Sequence, residues 1–240
     1  MSEGLYFRQL LSGKDYAVGD PVATQMVNFS YLIGDRATGE AVVVDPAYSP
    51  DDLLATLDAD GMRLTGVLAT HHHPDHVGGS MMGFDLVGLA ELLGKSPVPV
   101  HVQRDESDWV TRVTGLSATD LTPHDHDDVV QVGSVPIRLL HTPGHTPGSQ
   151  CFLLDAPDGP RLVAGDTLFL QGCGRTDFPG GDVDAMYRSL QHLAGLSGNP
   201  TVYPGHRYSD APSAPLDDVQ RSNMVYRATS AEQFRAAFGN

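Results

Sequence analysis

Two cysteines in 240 residues, Cys151 and Cys173, are too few for a disulfide framework, so a core and not covalent staples must hold this chain. Cationic side chains are scarce as well: 15 Lys and Arg stand against 30 Asp and Glu, a formal charge of −15. Such a balance repels a phosphate backbone and an anionic lipid surface, and no basic cluster offsets it locally. Neither nucleic acid nor a membrane is therefore an expected partner. No apolar run approaches the ~20 residues of a membrane-spanning helix. Met1–Gln9, with charges at Glu3 and Arg8, lacks the basic start and apolar stretch of a secretion signal, which predicts a cytoplasmic chain whose cysteines stay as thiols. Low-complexity tracts and short-period repeats are missing too, and Gly and Pro are scattered between short apolar runs. Residues 1–240 are accordingly expected to form a single domain.

Apolar residues are 40% of the chain, enough for a sizeable core. Asn28–Ile33, Glu40–Val44 and Leu64–Ala69 are short, apolar and bounded by turn residues, the pattern of buried strands. Between the last two a helix is well marked. Ser49 can cap it, Pro50 suits its first position, Asp51 and Asp52 favour its dipole, Leu53, Leu54 and Leu57 share a face, and Gly61 ends it. Val98–Val102, Val135–His141, Cys151–Leu154 and Arg161–Ala164 read as further strands, while Val183–Leu193 and Leu216–Ala228 carry helical spacing. The class is layered α/β.

Chemistry gathers after the strand Leu64–Ala69, in Thr70-His71-His72-His73-Pro74-Asp75-His76. In an extended segment His71, His73 and Asp75 share one side, His72 faces outward, and His76 turns inward as the chain bends. Neutral imidazoles and carboxylates are ligands for Zn²⁺ or Fe²⁺, and crowding them is costly unless a cation compensates. Three further strand ends carry compatible groups. His145 lies in the rigid Thr142-Pro143-Gly144-His145-Thr146-Pro147-Gly148 turn, Asp166 follows Gly165, and His206 follows Gly205. His101, His124, His126, His141 and His192 fall outside this pattern, and His124-Asp125-His126-Asp127-Asp128 reads as a solvated turn.

The series His-x-His-x-Asp-His, Thr-Pro-Gly-His, Gly-Asp and Gly-His resembles the metallo-β-lactamase superfamily over about Asn28 to Tyr208. The resemblance implies an αββα sandwich with the site along one sheet edge. It also implies that positions matching His71, His73 and His145 bind one metal, those matching Asp75, His76 and His206 a second, and that matching Asp166 bridges. Asp45, in Val42-Val43-Val44-Asp45-Pro46, matches an aspartate that is structural in the superfamily.

Gly165-Asp166-Thr167-Leu168-Phe169 and Tyr203-Pro204-Gly205-His206-Arg207-Tyr208 resemble glyoxalase II, in which Tyr208 would meet the thiol carrier. Gly172-Cys173-Gly174-Arg175-Thr176-Asp177-Phe178 is more similar to persulfide dioxygenase. In the hydrolase branch two divalent ions, zinc or iron, share a hydroxide that Asp75 orients and that attacks a thioester carbonyl. In the dioxygenase branch a single iron sits on His71, His145 and Asp166. The expected function is hydrolysis of a thioester of a small thiol or an acyl carrier, with Arg175 and Tyr208 contacting the carrier; the oxidation of a persulfide is the alternative. A metal-binding protein without turnover is a third reading, against which all seven ligand positions stand filled.

Overall fold

The structure, a computed structural model, describes residues 4–239. Its first half contains strands β1 (Leu5–Leu11), β2 (Phe29–Asp35), β3 (Glu40–Val44), β4 (Arg63–Leu68), β5 (Gly79–Met81), β6 (Phe84–Leu86), β7 (Val100–Gln103) and β8 (Leu121–His124). The second half adds β9 (Val129–Val132), β10 (Val135–His141), β11 (Gln150–Leu154), β12 (Arg161–Gly165), β13 (Thr201–Pro204) and β14 (Ala214–Pro215). Helices α1 (Pro21–Met26), α2 (Pro50–Ala59), α3 (Pro74–Val77), α4 (Leu89–Lys95) and α5 (Ser107–Thr114) belong to the first half. Helices α6 (Val183–Ala194), α7 (Leu216–Ser222) and α8 (Ala231–Phe238) belong to the second.

One sheet runs β1-β2-β3-β4-β7-β8 and the other β14-β13-β12-β11-β10-β9, with β5 and β6 as a separate hairpin. The first is antiparallel through β3 and parallel from β3 to β8. In the second, β12 and β13 are the parallel pair.

Strand β3 accounts for the layering. Successive side chains point to opposite faces, and here both faces are apolar: Val42 and Val44 enter the core between the sheets, while Ala41 and Val43 enter the core under the helices. Between the sheets Tyr31, Ile33 and Leu68 meet Ile137, Leu139, Phe152 and Val163. On the outer face of the first sheet lie Leu53 and Leu57 of α2, Leu89 and Leu92 of α4, and Val110 of α5. Met186, Leu190 and Leu193 of α6, with Phe234 of α8, cover the second. Each such side chain contributes about 1.5–3 kcal/mol by leaving water. The order of layers is αββα, as expected.

The strands expected from the sequence occur with ends shifted by no more than two residues, Glu40–Val44 and Val135–His141 without any shift, and Ser49 caps α2, its Oγ accepting from the Asp52 amide at 3.4 Å. The helix expected over Leu216–Ala228 is not continuous. It stops at Ser222 and resumes as a 3-10 turn, Met224–Arg227, because Asn223 is buried and tied elsewhere. Its Nδ2 donates to the carbonyls of Phe169 at 3.0 Å and Gly172 at 2.9 Å, and its Oδ1 accepts from the Gly172 and Val225 amides. No helix among the described residues is long and apolar enough to cross a membrane.

Candidate metal centre

The expected ligands converge because their segments leave strand ends that meet at one edge of the sandwich. His71 and His73 follow β4, His145 lies between β10 and β11, Asp166 follows β12 and His206 follows β13. The pairings give β10, β12 and β13 a common direction, so their loops emerge together. Two backbone bonds join the sheets there, Gln150 N–H to the Thr70 carbonyl at 2.9 Å and Phe29 N–H to the Gly205 carbonyl at 2.7 Å. The extended alternation expected over His71–Asp75 ends at His73. Pro74 opens the short helix α3, and it is the helical turn that carries Asp75 and His76 into the site.

Donor atoms fall into two groups. His71 Nε2 and His145 Nε2 lie 3.1 and 3.0 Å from His73 Nδ1. His206 Nε2 lies 3.2 Å from His76 Nε2 and 3.4 Å from Asp75 Oδ2. Asp166 stands between them, one oxygen 3.7 Å from His145 Nε2 and 3.2 Å from His206 Nε2, the other 3.5 Å from His76 Nε2. Within His71/His73/His145, His71/His76/Asp166 and Asp75/His76/His206, the donor atoms all lie within 4.8 Å of one another.

Four imidazoles are fixed from behind. Nδ1 of His76 faces Asp45 Oδ2 at 2.8 Å, that of His145 the Arg175 carbonyl at 2.6 Å, that of His206 the Met26 carbonyl at 2.8 Å, and that of His71 the Thr70 hydroxyl at 3.0 Å. With a cation bound, donation from Nδ1 to these oxygens would leave each Nε2 lone pair pointing into the cluster, the form a cation requires.

The residues fit metal ions. Asp166 Oδ1 is a buried carboxylate oxygen without a hydrogen-bond partner, a costly state that a cation at this position relieves. The site is also too close for an added methyl: a Cβ on Gly205 would sit 2.3 Å from that same oxygen. Electrostatics agree. Burial acts to raise the Asp166 carboxyl, yet the imidazoles of His206 and His76 outweigh it and hold Asp166 below the usual carboxylate range. Asp75 is lowered in the same contest, by His76 and His206. Burial, then His76 and its neighbours, keep His71 neutral, and burial with His145 takes His73 down to about 3. For His76, burial is overcome by Asp75, Asp166 and Asp45, which push it up to about 10. The carboxylates thus demand positive charge, and the three overlapping donor groups could hold metal ions that supply it.

One residue, His72, is not where sequence reasoning put it. His72 does point away from the cluster, but inward: it is buried, its Nδ1 is 2.6 Å from Glu106, and its ring stacks on Trp109. Arg175 has its guanidinium on Asp177, at 2.9 and 2.5 Å, and over the Phe178 ring, while its carbonyl is the group that holds His145. Tyr208 is about half exposed and stacks on His206 at 4.8 Å, beside a cavity of about 740 Å³ also lined by Leu170, Gln171 and Arg207.

Two participants went unseen. Asn28 is buried, donates from Nδ2 to Asp75 Oδ2 at 3.1 Å, and accepts from Tyr48 at 2.8 Å. A polar residue opening a fully buried strand was the available signal. Phe178 sets its ring edge-on to His73 at 5.5 Å and forms an apolar wall.

A buried nest of imidazoles and carboxylates at the edge of a two-sheet sandwich defines a class, αββα proteins with a candidate metal centre. The chain belongs to the metallo-β-lactamase superfamily, whose family model matches residues 23–206. It is 37% identical over 212 residues to a hydroxyacylglutathione hydrolase of Rhodopseudomonas palustris, a match spanning 87% of this chain and 74% of that protein. A probable polyketide biosynthesis zinc-dependent hydrolase of Bacillus velezensis is 30% identical, over 86% of this chain and 85% of its own length. Among solved structures, ETHE1 from Myxococcus xanthus superposes with a TM-score of 0.76 at 31% identity, covering 98% of this chain and 90% of that one.

Proposed function

We propose that this protein hydrolyses thioesters of a small thiol or of an acyl carrier, using two divalent ions held by His71, His73, His145 and by Asp75, His76, His206, with Asp166 between them. The observation that carries the reading is the pair of donor groups sharing one carboxylate. The names borne by the relatives in Rhodopseudomonas and Bacillus, both hydrolases, support it. When bound, zinc or iron supplies an electrophile for the acyl carbonyl and lowers the pKa of a water toward ~7.

The chain's own residues do the rest. Asp75, held by Asn28, orients the attacking water toward the carbonyl carbon. Water adds, the C–S bond breaks, and the products are a carboxylic acid and a thiol. Phe178 excludes solvent on one side, and the cavity beside Tyr208 gives the carrier room. Arg175 meets a carrier carboxylate only by sharing or leaving Asp177. We place this chemistry in the cytoplasm.

The alternative, a single iron on His71, His145 and Asp166 oxidising a persulfide, draws on the Gly174-Arg175-Thr176-Asp177-Phe178 segment. One experiment separates the two. Protein purified without added metal is analysed for element and stoichiometry, then assayed with S-lactoylglutathione, an uncharged thioester and glutathione persulfide. Two ions per chain with thioester loss is the expected result. One iron with oxygen uptake and negligible thioester loss overturns the proposal.

A further inference from the structure

Behind the three-histidine cluster lies a carboxylate that touches no ligand donor atom. Glu106 ends a 3-10 turn after β7 and is 1% exposed. Its Oε1 accepts from the His72 amide at 2.8 Å and from His72 Nδ1 at 2.6 Å, and its Oε2 accepts from the Gly148 amide at 2.6 Å. His72 lies between His71 and His73; Gly148 closes the Thr-Pro-Gly turn that presents His145. One buried side chain therefore joins the two segments that carry this cluster. The approach is close enough to dictate sequence: a Cβ on Gly148 would lie 2.4 Å from the Glu106 backbone nitrogen and 2.7 Å from Oε2. Trp109, stacked on the His72 ring at 4.9 Å, closes the remaining side.

We infer that Glu106, acting through His72 and Gly148, is the positioning residue of the His71/His73/His145 cluster and sets its metal affinity selectively. This rests on the two-cluster reading above. Selectivity follows from the wiring. The other cluster is held by different groups, Asn28 on Asp75, Asp45 on His76 and the Met26 carbonyl on His206, none of which contacts Glu106. Three N–H groups converge on the Glu106 carboxylate, and a neutral amide accepts through only one of its two heavy atoms. In Glu106→Gln the oxygen serves His72 or Gly148, and the amide nitrogen meets a donor at the other. The ligand segments then lose their common anchor without any ligand being removed.

The test is zinc affinity of the full chain, measured by competition with a chromophoric chelator in variants that each disable one of the two clusters. On a His206→Ala background, which leaves the three-histidine cluster intact, Glu106→Gln is expected to weaken zinc about 10- to 100-fold, the usual cost of losing a partner behind a metal ligand. On a His145→Ala background, which leaves Asp75, His76 and His206, the same change is expected to leave affinity unaltered. Equal weakening on both backgrounds, or none on either, overturns the inference; a general loss of stability gives the first pattern. Should Glu106→Gln fail to fold by circular dichroism, His72→Phe keeps the ring against Trp109 and the Glu106–Gly148 bond while deleting the Nδ1 donor. It must show the same selectivity. Thioester turnover does not enter this readout, so its absence would refute the proposed function and leave the inference standing, and unselective zinc loss would do the reverse.

Discussion

Asp45→Asn exchanges one oxygen for nitrogen and removes one negative charge at a buried position whose backbone φ of +52° asparagine tolerates, so the perturbation is confined to hydrogen bonds and to the charge facing His76. Asp45 Oδ1 accepts from the Thr70 amide at 2.8 Å; Oδ2 accepts from the Thr70 hydroxyl at 2.6 Å and from His76 Nδ1 at 2.8 Å. If the new NH₂ replaces Oδ2, it faces a donor on His76, and the imidazole must move its proton to Nε2, the atom that points into the cluster. If it replaces Oδ1, it faces the Thr70 N–H and leaves a buried donor unpaired, at about 1–3 kcal/mol. The first arrangement weakens zinc at Asp75/His76/His206 about 10- to 100-fold, or roughly 1.4–2.8 kcal/mol. The second lowers folding stability by a similar amount. Chelator competition and urea unfolding of the metal-free protein read the two outcomes separately. A variant with wild-type zinc affinity and an unmoved urea midpoint would refute the argument that Asp45 sets the His76 tautomer.

Three other expectations follow from the geometry. His145→Ala should abolish thioester turnover and lower metal content, since it removes a donor 3.0 Å from His73; near-normal turnover with full metal would show the assignment to be wrong. Arg175→Ala should raise KM for S-lactoylglutathione roughly fivefold, worth ~1 kcal/mol for an exposed ion pair, and leave kcat for an uncharged thioester unchanged; equal losses on both substrates would remove its role in binding the carrier. Acid stability should depend on His101, which burial and then the neighbouring His124 hold at about 4, against 6.5 in an unfolded chain. The unfolded state then takes up a proton before the folded state does, so stability present above 6.5 is lost as pH falls from there toward about 4. His101→Gln should flatten that decline by up to about 3 kcal/mol in urea titrations, and an unchanged slope would contradict it.

The candidate ligands stood out because they lie beyond short apolar runs, and five of the seven, His73, Asp75, His145, Asp166 and His206, adjoin a Gly or Pro, a signature that survives without knowledge of distant neighbours. What positions them was not. Glu106 and Asn28 are single polar residues far along the chain from the groups they hold, and nothing local distinguishes a buried acceptor from a solvated one. His72 illustrates the same limit: alternation gave its direction correctly, but whether that direction leads to water depends on Trp109 and Glu106. Likewise the apolar spacing of Leu216–Ala228 has helical period throughout, and only the carbonyls of Phe169 and Gly172 decide that Asn223 breaks it.

The division of strands between the sheets follows chain order, β1 to β8 apart from the hairpin and then β9 to β14, so the backbone passes from one sheet to the other at residues 125–128. The donors divide at the same point: His71, His73, Asp75 and His76 before it, His145, Asp166 and His206 after it. Among the described residues, no group of three donors within reach of a common ion lies wholly in the second part. An ion at this edge would therefore act as a rivet between two consecutive halves of one polypeptide. A break in the 125–128 turn would make the binding of zinc a direct gauge of how tightly those halves reassociate.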